Sequence, residues 1–153
     1  MLARTLAFAA GFAAMEVIAW AAHRFLMHGP LWSLHRSHHE PGRRGAQPND
    51  LFGLLFAGVA VALFAAGASL PQPPLWWAGL GVTAYGAVYA LVHDGLVHGR
   101  FGLRPIPARG PLRRVVQAHP QHHAVRERRG CVAFGLLWPG DVQAHARRLR
   151  RRS

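Results

Sequence analysis

Apolar residues run through this chain in three long stretches, separated by segments in which histidine, arginine, glycine and proline crowd together. Leu6 to Ala22 is apolar except for Glu16, and its helical pattern continues through Met27. Leu51 to Leu70 carries no charge over twenty residues. As a helix rising about 1.5 Å per residue, it is long enough to cross a hydrocarbon core of roughly 30 Å. Leu75 to Val92 adds eighteen uncharged residues and begins beside Trp76 and Trp77, whose amphipathic rings favour the water boundary. The pattern predicts an all-α polytopic membrane protein with three transmembrane helices, over about 5–27, 51–70 and 75–98, in a single domain covering 1–153. The first stretch reads as a retained span, because it runs into His23 and His28 without the small-residue cleavage site of a signal peptide.

The linkers place the polar segments. Pro71-Gln72-Pro73-Pro74 joins the second and third stretches and is too short for anything but a tight hairpin. Leu51 and Val92 therefore share one side of the membrane with the carboxyl end of the first span. Gly29-Pro30 stops that span, and Pro30 can open a short helix over Leu31 to His39, which Pro41-Gly42 ends. Asn49 or Asp50 can cap the second span. Residues 99–111, rich in Gly, Pro and Arg, read as an irregular interfacial connector. Pro111 can start a last helix through His123, with a bend or a fresh turn at Pro120. Cys131 to Trp138 is apolar but too short to span, so it lies in the interface or covers a site. Residues 147–153 hold five arginines in seven and read as a flexible basic tail drawn to anionic headgroups.

Composition and charge sharpen this reading. Half of the chain is apolar, yet the net charge is +12 and every basic side chain is arginine. A nucleic-acid binder would show a basic face beside a soluble fold motif, and none is visible, so no nucleic-acid partner is expected. Seventeen arginines fall on the histidine side of the three spans, against Arg4 alone on the other. By the positive-inside tendency the histidine side is cytoplasmic and the amino terminus faces out. The single Cys131 excludes an intramolecular disulfide.

Ten of the eleven histidines form the same pair of motifs twice. His23-x4-His28 precedes His35, His38 and His39; His93-x4-His98 precedes His119, His122 and His123. Each triplet sits at i, i+3 and i+4, one face of a helix. Bare imidazoles gathered there would be costly beside a membrane, whereas a bound metal turns them into ligands. Ten exceed the demand of one zinc and suit two metal ions. The x4 spacing places i and i+5 about 140° apart on an ideal helix, so a frayed or π-bulged turn, or two metals side by side, is needed. Thiolate ligands and the His-Glu-x-x-His pattern of zinc proteases are absent, and an all-imidazole pair suits iron and dioxygen activation. Zinc is expected as an adventitious substitute in purified material. A metal carrier in the membrane would spread its ligands through the bilayer; here they gather at one face.

Other residues carry two readings each. Glu16, mid-span, reads first as a structural polar contact and second as part of the site. Asp94 can accept a proton from His93, or pair with Arg100 or Arg104. Arg113, Arg114, Arg126, Arg128 and Arg129 grip headgroups or dock an acidic electron donor. Trp20, Phe52, Phe56, Tyr85, Gly86 and Tyr89 pack helices or line a channel. His145 reads as an ordinary hydrogen-bonded histidine.

The runs His23-Arg-Phe-Leu-Met-His28-Gly-Pro-Leu-Trp through His35-Arg-Ser-His38-His39-Glu-Pro, His93-Asp-Gly-Leu-Val-His98 and His119-Pro-Gln-His122-His123-Ala-Val resemble the bacterial β-carotene hydroxylases, a branch of the fatty-acid hydroxylase superfamily of membrane di-iron proteins. The similarity extends from Met15 to about Pro139. It implies hydroxylation of carbon 3 on each β-ionone ring of a carotenoid, with dioxygen as oxygen source and a ferredoxin-type donor of electrons. It also implies ligand roles for the ten clustered histidines, and for no others. A lipid or sterol hydroxylase, or a carotenoid ketolase, would share the same histidine frame.

Overall fold

The computed structural model describes residues 1–40, 45–69, 71, 73–103 and 109–152. The stop expected at Pro41-Gly42, the hairpin residue Gln72 and the middle of the 99–111 connector, with Arg104, lie outside the described residues. Among those described the chain is helical, with no strand.

The first span is helix α1 (Leu2–Ala21), continued by a π-helical turn, Ala22–Met27. A short helix α2 (Trp32–His35) follows and tightens into a 3-10 turn over Arg36–His39. The single helix expected over Leu31 to His39 is thus two kinds of turn. The second span is α3 (Asp50–Ser69) and the third is α4 (Pro73–Tyr89), which passes into a longer π-helical segment, Ala90–Val97. Pro73 and Pro74 form the first turn of α4, where a proline's missing N–H has no helical partner to lose, so the hairpin is shorter than the four residues expected.

Helix α5 (Pro111–His123) runs through Pro120 without a separate new turn. Helix α6 (Val142–Arg150) is capped by Asp141, whose carboxylate accepts from Gln143 N and Ala144 N at 2.8 and 3.0 Å. The tail expected from Arg147 onward is therefore largely the end of a helix. Its arginines stay exposed, and Arg152 donates to the Gly130 carbonyl at 2.8 Å.

Three helices are long and apolar enough to cross a membrane: Leu2–Met27, Asp50–Ser69 and Pro73–Val97. Large apolar side chains point outward from all three, among them Val17, Ile18, Leu54, Leu55, Val61 and Leu91. In water such a surface would drive aggregation; in a bilayer it is the lipid-facing surface of a membrane protein. The last span in sequence is the central one in space, with α4 packing against both α1 and α3. Close approach is set by glycine: a Cβ on Gly81 would overlap the Phe8 carbonyl oxygen, and one on Gly11 would overlap that of Ala78. Met15, Ala60, Val82, Tyr85, Val115 and Leu136 form the core, with Phe12 edge-on to Tyr85 at 5.6 Å. Val115 and Leu136 come from outside the spans, so α5 and the Cys131–Trp138 segment are seated on the bundle where its π-helical ends emerge.

Candidate metal centre

The π-helical turns answer the spacing problem. His28 N donates to His23 O at 3.1 Å and His98 N to His93 O at 2.9 Å, each an i to i+5 bond. That wider turn brings the two members of each x4 pair to one side. Gly95 lies within the second such turn, where a Cβ would sit 2.9 Å from Leu103 Cδ1 and 3.2 Å from Phe101 Cδ2. Its role is to let the following loop close down on the helix.

All ten clustered histidines come together, and they divide into two groups. His23, His28, His35, His39 and His122 each offer a ligand atom within 4.8 Å of the others. His38, His98, His119 and His123 do the same. His93 joins the second group through His38, Nε2 to Nε2 at 3.2 Å. Each triplet is therefore split. The i and i+4 members stay with the x4 pair that precedes them in sequence, and the i+3 member crosses to the other group. The three rings of a triplet therefore do not all meet in one group.

Six of these rings hold Nδ1 against an atom that can only accept. His23 donates to Phe134 O at 2.9 Å, His28 to Arg128 O at 3.0 Å, His39 to Val125 O at 2.9 Å and His122 to Val132 O at 2.8 Å. His35 faces Asn49 Oδ1 at 2.6 Å and His93 faces Asp94 Oδ1 at 2.8 Å. The proton of each neutral ring is fixed on Nδ1, so each Nε2 presents a bare lone pair. Those lone pairs face one another: His35 Nε2 lies 3.2 Å from both His23 Nε2 and His39 Nε2, and His28 Nε2 lies 3.1 Å from His122 Nε2. Acceptors so placed repel unless a cation lies between them. The donor set fits a metal, and five imidazoles around each position exceed what a tetrahedral zinc requires.

Outside the spans, burial keeps the rings neutral and ready to bind. Loss of hydration pushes His35 and His123 down to about 2, His98 to about 3 and His39 to about 4, from an ordinary 6.5. It lowers His28, His38, His119 and His122 in the same direction.

A cavity of about 340 Å³ lies against this centre. Its apolar wall includes Met15, Phe52, Phe56, Tyr85, Tyr89 and Phe134, and His23, His35, His93 and His119 border it. Of the aromatic and small residues singled out as channel candidates, Phe52, Phe56, Tyr85, Gly86 and Tyr89 line it. Trp20 instead packs edge-on to Phe25. Tyr89 also stacks on His93, centroids 4.4 Å apart. Asp50 and Arg100, bridged at 2.9 Å, close the polar end.

Asp94 takes the role facing His93. Cys131–Trp138 covers the centre, since its carbonyls hold His23 and His122. His145 stands apart, hydrogen-bonded to Pro139 O at 2.7 Å. Sequence reasoning missed Asn49 as the partner of His35, having assigned it to a helix cap. It also missed the four backbone carbonyls, which have no residue-type signature.

Three spans carrying two histidine clusters able to hold metal ions, beside an apolar cavity, define a membrane protein with a candidate metal centre, and residues 8–141 match the fatty acid hydroxylase family model; the chain belongs to that family. It is 48% identical over 138 residues to the β-carotene hydroxylase of Paracoccus sp. (strain PC1), covering 90% of this chain and 85% of that one. It is 50% identical over 147 residues to the β-carotene hydroxylase of Pseudescherichia vulneris, covering 94% and 83%. The chloroplastic β-carotene 3-hydroxylase 1 of Arabidopsis thaliana is 41% identical over 133 residues, 84% of this chain and 42% of the plant protein. No solved structure shows a significant match.

Proposed function

We propose that this protein is a β-carotene 3-hydroxylase that converts β-carotene through β-cryptoxanthin to zeaxanthin. The observation that carries the reading is the apolar cavity bordered by histidines of both clusters, in a chain about half identical to proteins named β-carotene hydroxylase. The ten clustered histidines hold two iron ions, His23, His28, His35, His39 and His122 at one and His38, His93, His98, His119 and His123 at the other. Iron bound there supplies activation of dioxygen, so that one oxygen atom enters an unactivated ring C–H bond. The chain's own residues do the rest. Asp94 and the backbone carbonyls fix the imidazole tautomers, and the aromatic wall seats an apolar ring and keeps water from it.

At about 340 Å³ the cavity is near the small end of ligand sites, roughly 300–1,000 Å³, which suits one ring rather than a whole carotenoid. A carotenoid standing across the bilayer brings its terminal ring to the depth of the histidines. A fatty acyl chain would have to bend to present one methylene there. The histidine end faces the cytoplasm, as the arginine asymmetry indicates, and a ferredoxin-type donor delivers electrons on that side. Exposed Arg126, Arg128 and Arg129 offer it a docking surface, on the loop whose backbone holds His39 and His28.

Cells that make β-carotene and express this chain should accumulate zeaxanthin, with a singly hydroxylated intermediate at early times and label from dioxygen gas in the product. Hydroxylated fatty acids or sterols beside unchanged β-carotene would overturn the substrate, and a keto-carotenoid would move the activity to ketolation. A reporter fused after residue 153 should behave as cytoplasmic.

A further inference from the structure

Glu16 is an acidic residue in the middle of the first span, where an unpartnered carboxylate is expensive. It is not unpartnered. Its Oε2 accepts from Tyr85 Oη at 2.8 Å and from Leu137 N at 3.1 Å, and its Oε1 accepts from Trp138 N at 3.0 Å. Two consecutive backbone amides are thus gripped by the two oxygens of one carboxylate. Both belong to the segment that covers the histidines. The turn wraps the carboxylate so closely that a Cβ on Gly135 would sit 2.5 Å from Trp138 O and 3.0 Å from Glu16 Oε1.

The same segment, three to five residues earlier, supplies Phe134 O to His23 and Val132 O to His122. Between these two carbonyls lies Ala133 at φ +56°, a left-handed conformation that a non-glycine residue keeps only where its surroundings hold it. The anchor therefore sits at one end of a short, conformationally demanding stretch, and two histidines of one cluster hang from the other end.

We propose that Glu16 is a positioning residue for the cluster of His23, His28, His35, His39 and His122. Its carboxylate pins the backbone of Leu137 and Trp138 against the bundle, and this sets the Phe134 and Val132 carbonyls where they hold His23 and His122 with Nε2 facing inward. Among the described residues no hydrogen bond runs from this segment to a ring of the other cluster, which it meets only through the packing of Val132 and Ala133 on Ala118; His93 is set by Asp94, in the third span. An amide at residue 16 would keep one acceptor oxygen and turn an NH2 group toward a backbone N–H, so one of the two amide bonds is lost and a donor faces a donor.

The inference rests on the reading that the clusters hold metal, and its test is separable from that reading. Full-length protein in detergent is loaded with ferrous iron, and separately with zinc. Metal per chain and its release to a chelator are then measured, with no substrate present. Absence of metal from the wild type would sink the metal reading itself. With two metals in the wild type, Glu16→Gln is expected to release one of them roughly 10–100-fold faster, with the second unchanged. In a His38→Ala background, which impairs the other cluster, Glu16→Gln should remove the remaining metal; in a His122→Ala background it should change nothing. Gly135→Ala, which disturbs the same turn and leaves the carboxylate in place, should reproduce the selective loss and decides the matter if Glu16→Gln does not fold. Gly67→Ala, where a Cβ would overlap the Trp76 backbone at the end of α3 away from the histidines, should lower the unfolding temperature while both metals keep their release rates. Wild-type release from folded Glu16→Gln and Gly135→Ala, or equal acceleration at both clusters, would overturn the proposal.

Discussion

His38 Nε2 lies 3.2 Å from His93 Nε2, fifty-five residues away, while its neighbours His35 and His39 point into the other cluster. His122 makes the reciprocal crossing, with Nε2 3.1 Å from His28 Nε2. The two histidine repeats are therefore interlocked, each completing its group with one ring borrowed from the other. Neither half can be organised without its counterpart, so the centre ties the first span and α2 to the third span and α5.

That exchange predicts where single losses fall. His38→Ala should weaken the metal held with His93, His98, His119 and His123, and His122→Ala the metal held with His23, His28, His35 and His39. Each should lower bound metal and activity together. His145→Ala, which breaks only a bond to Pro139 O, should leave both near wild type. Metal analysis of the three purified variants beside product assays checks this. Full activity in His38→Ala or His122→Ala would count against the shared centre.

Asp94→Asn keeps the shape beside His93 and removes the negative charge that its Nδ1–H faces at 2.8 Å. Losing such a partner should lower metal affinity or activity by roughly 10–100-fold, without the collapse expected from removing a ligand. A competition titration against a chelator gives the affinity directly.

Acid should loosen the fold in a defined window. The folded values of about 4 for His39, 3 for His98 and 2 for His35 lie below the ordinary 6.5. Below pH 6.5 the unfolded chain therefore binds more protons, and stability falls as pH falls. The full contribution is present above 6.5 and drains away on the approach to the folded values. Metal-free protein should show an unfolding temperature that is level around pH 7–8 and declines from about 6.5 to 4. The same protons compete for Nε2, so metal release should follow the same direction. A profile that is level through this range would contradict the buried neutral imidazoles.

Helix packing gives a contrast between two glycines. Gly81→Leu forces a side chain into the Phe8 backbone and should cost at least about 1–3 kcal/mol by driving α1 from α4. Gly58→Ala meets nothing within 4 Å in α3 and should be neutral or stabilising by up to about 1 kcal/mol. Unfolding temperatures in detergent separate the two.

The three spans, the gathering of histidines at one end and the family were legible in the chain, because each rests on local information. Twenty uncharged residues must satisfy their backbone internally, and a repeated x4 pair with an i, i+3, i+4 triplet is a pattern in residue types. Adjacency offered His93 as a partner for Asp94 and left Arg100 and Arg104 open beside it; the contact at 2.8 Å to His93 came from the fold. The sequence left the x4 spacing open, and only the tertiary structure resolved it, by π-helical turns that cost regular hydrogen bonding and persist because the packed centre holds them. The division of the triplets was likewise hidden, since i+3 and i+4 share a face on one helix and which partner each ring meets depends on the helix opposite. The turn to 3-10 geometry at Arg36, the central position of α4 and the use of Asn49 for His35 follow the same logic. The carbonyls of Val125, Arg128, Val132 and Phe134 mark the limit of what residue types can say: every residue has a carbonyl, and only the fold decides which ones meet an imidazole.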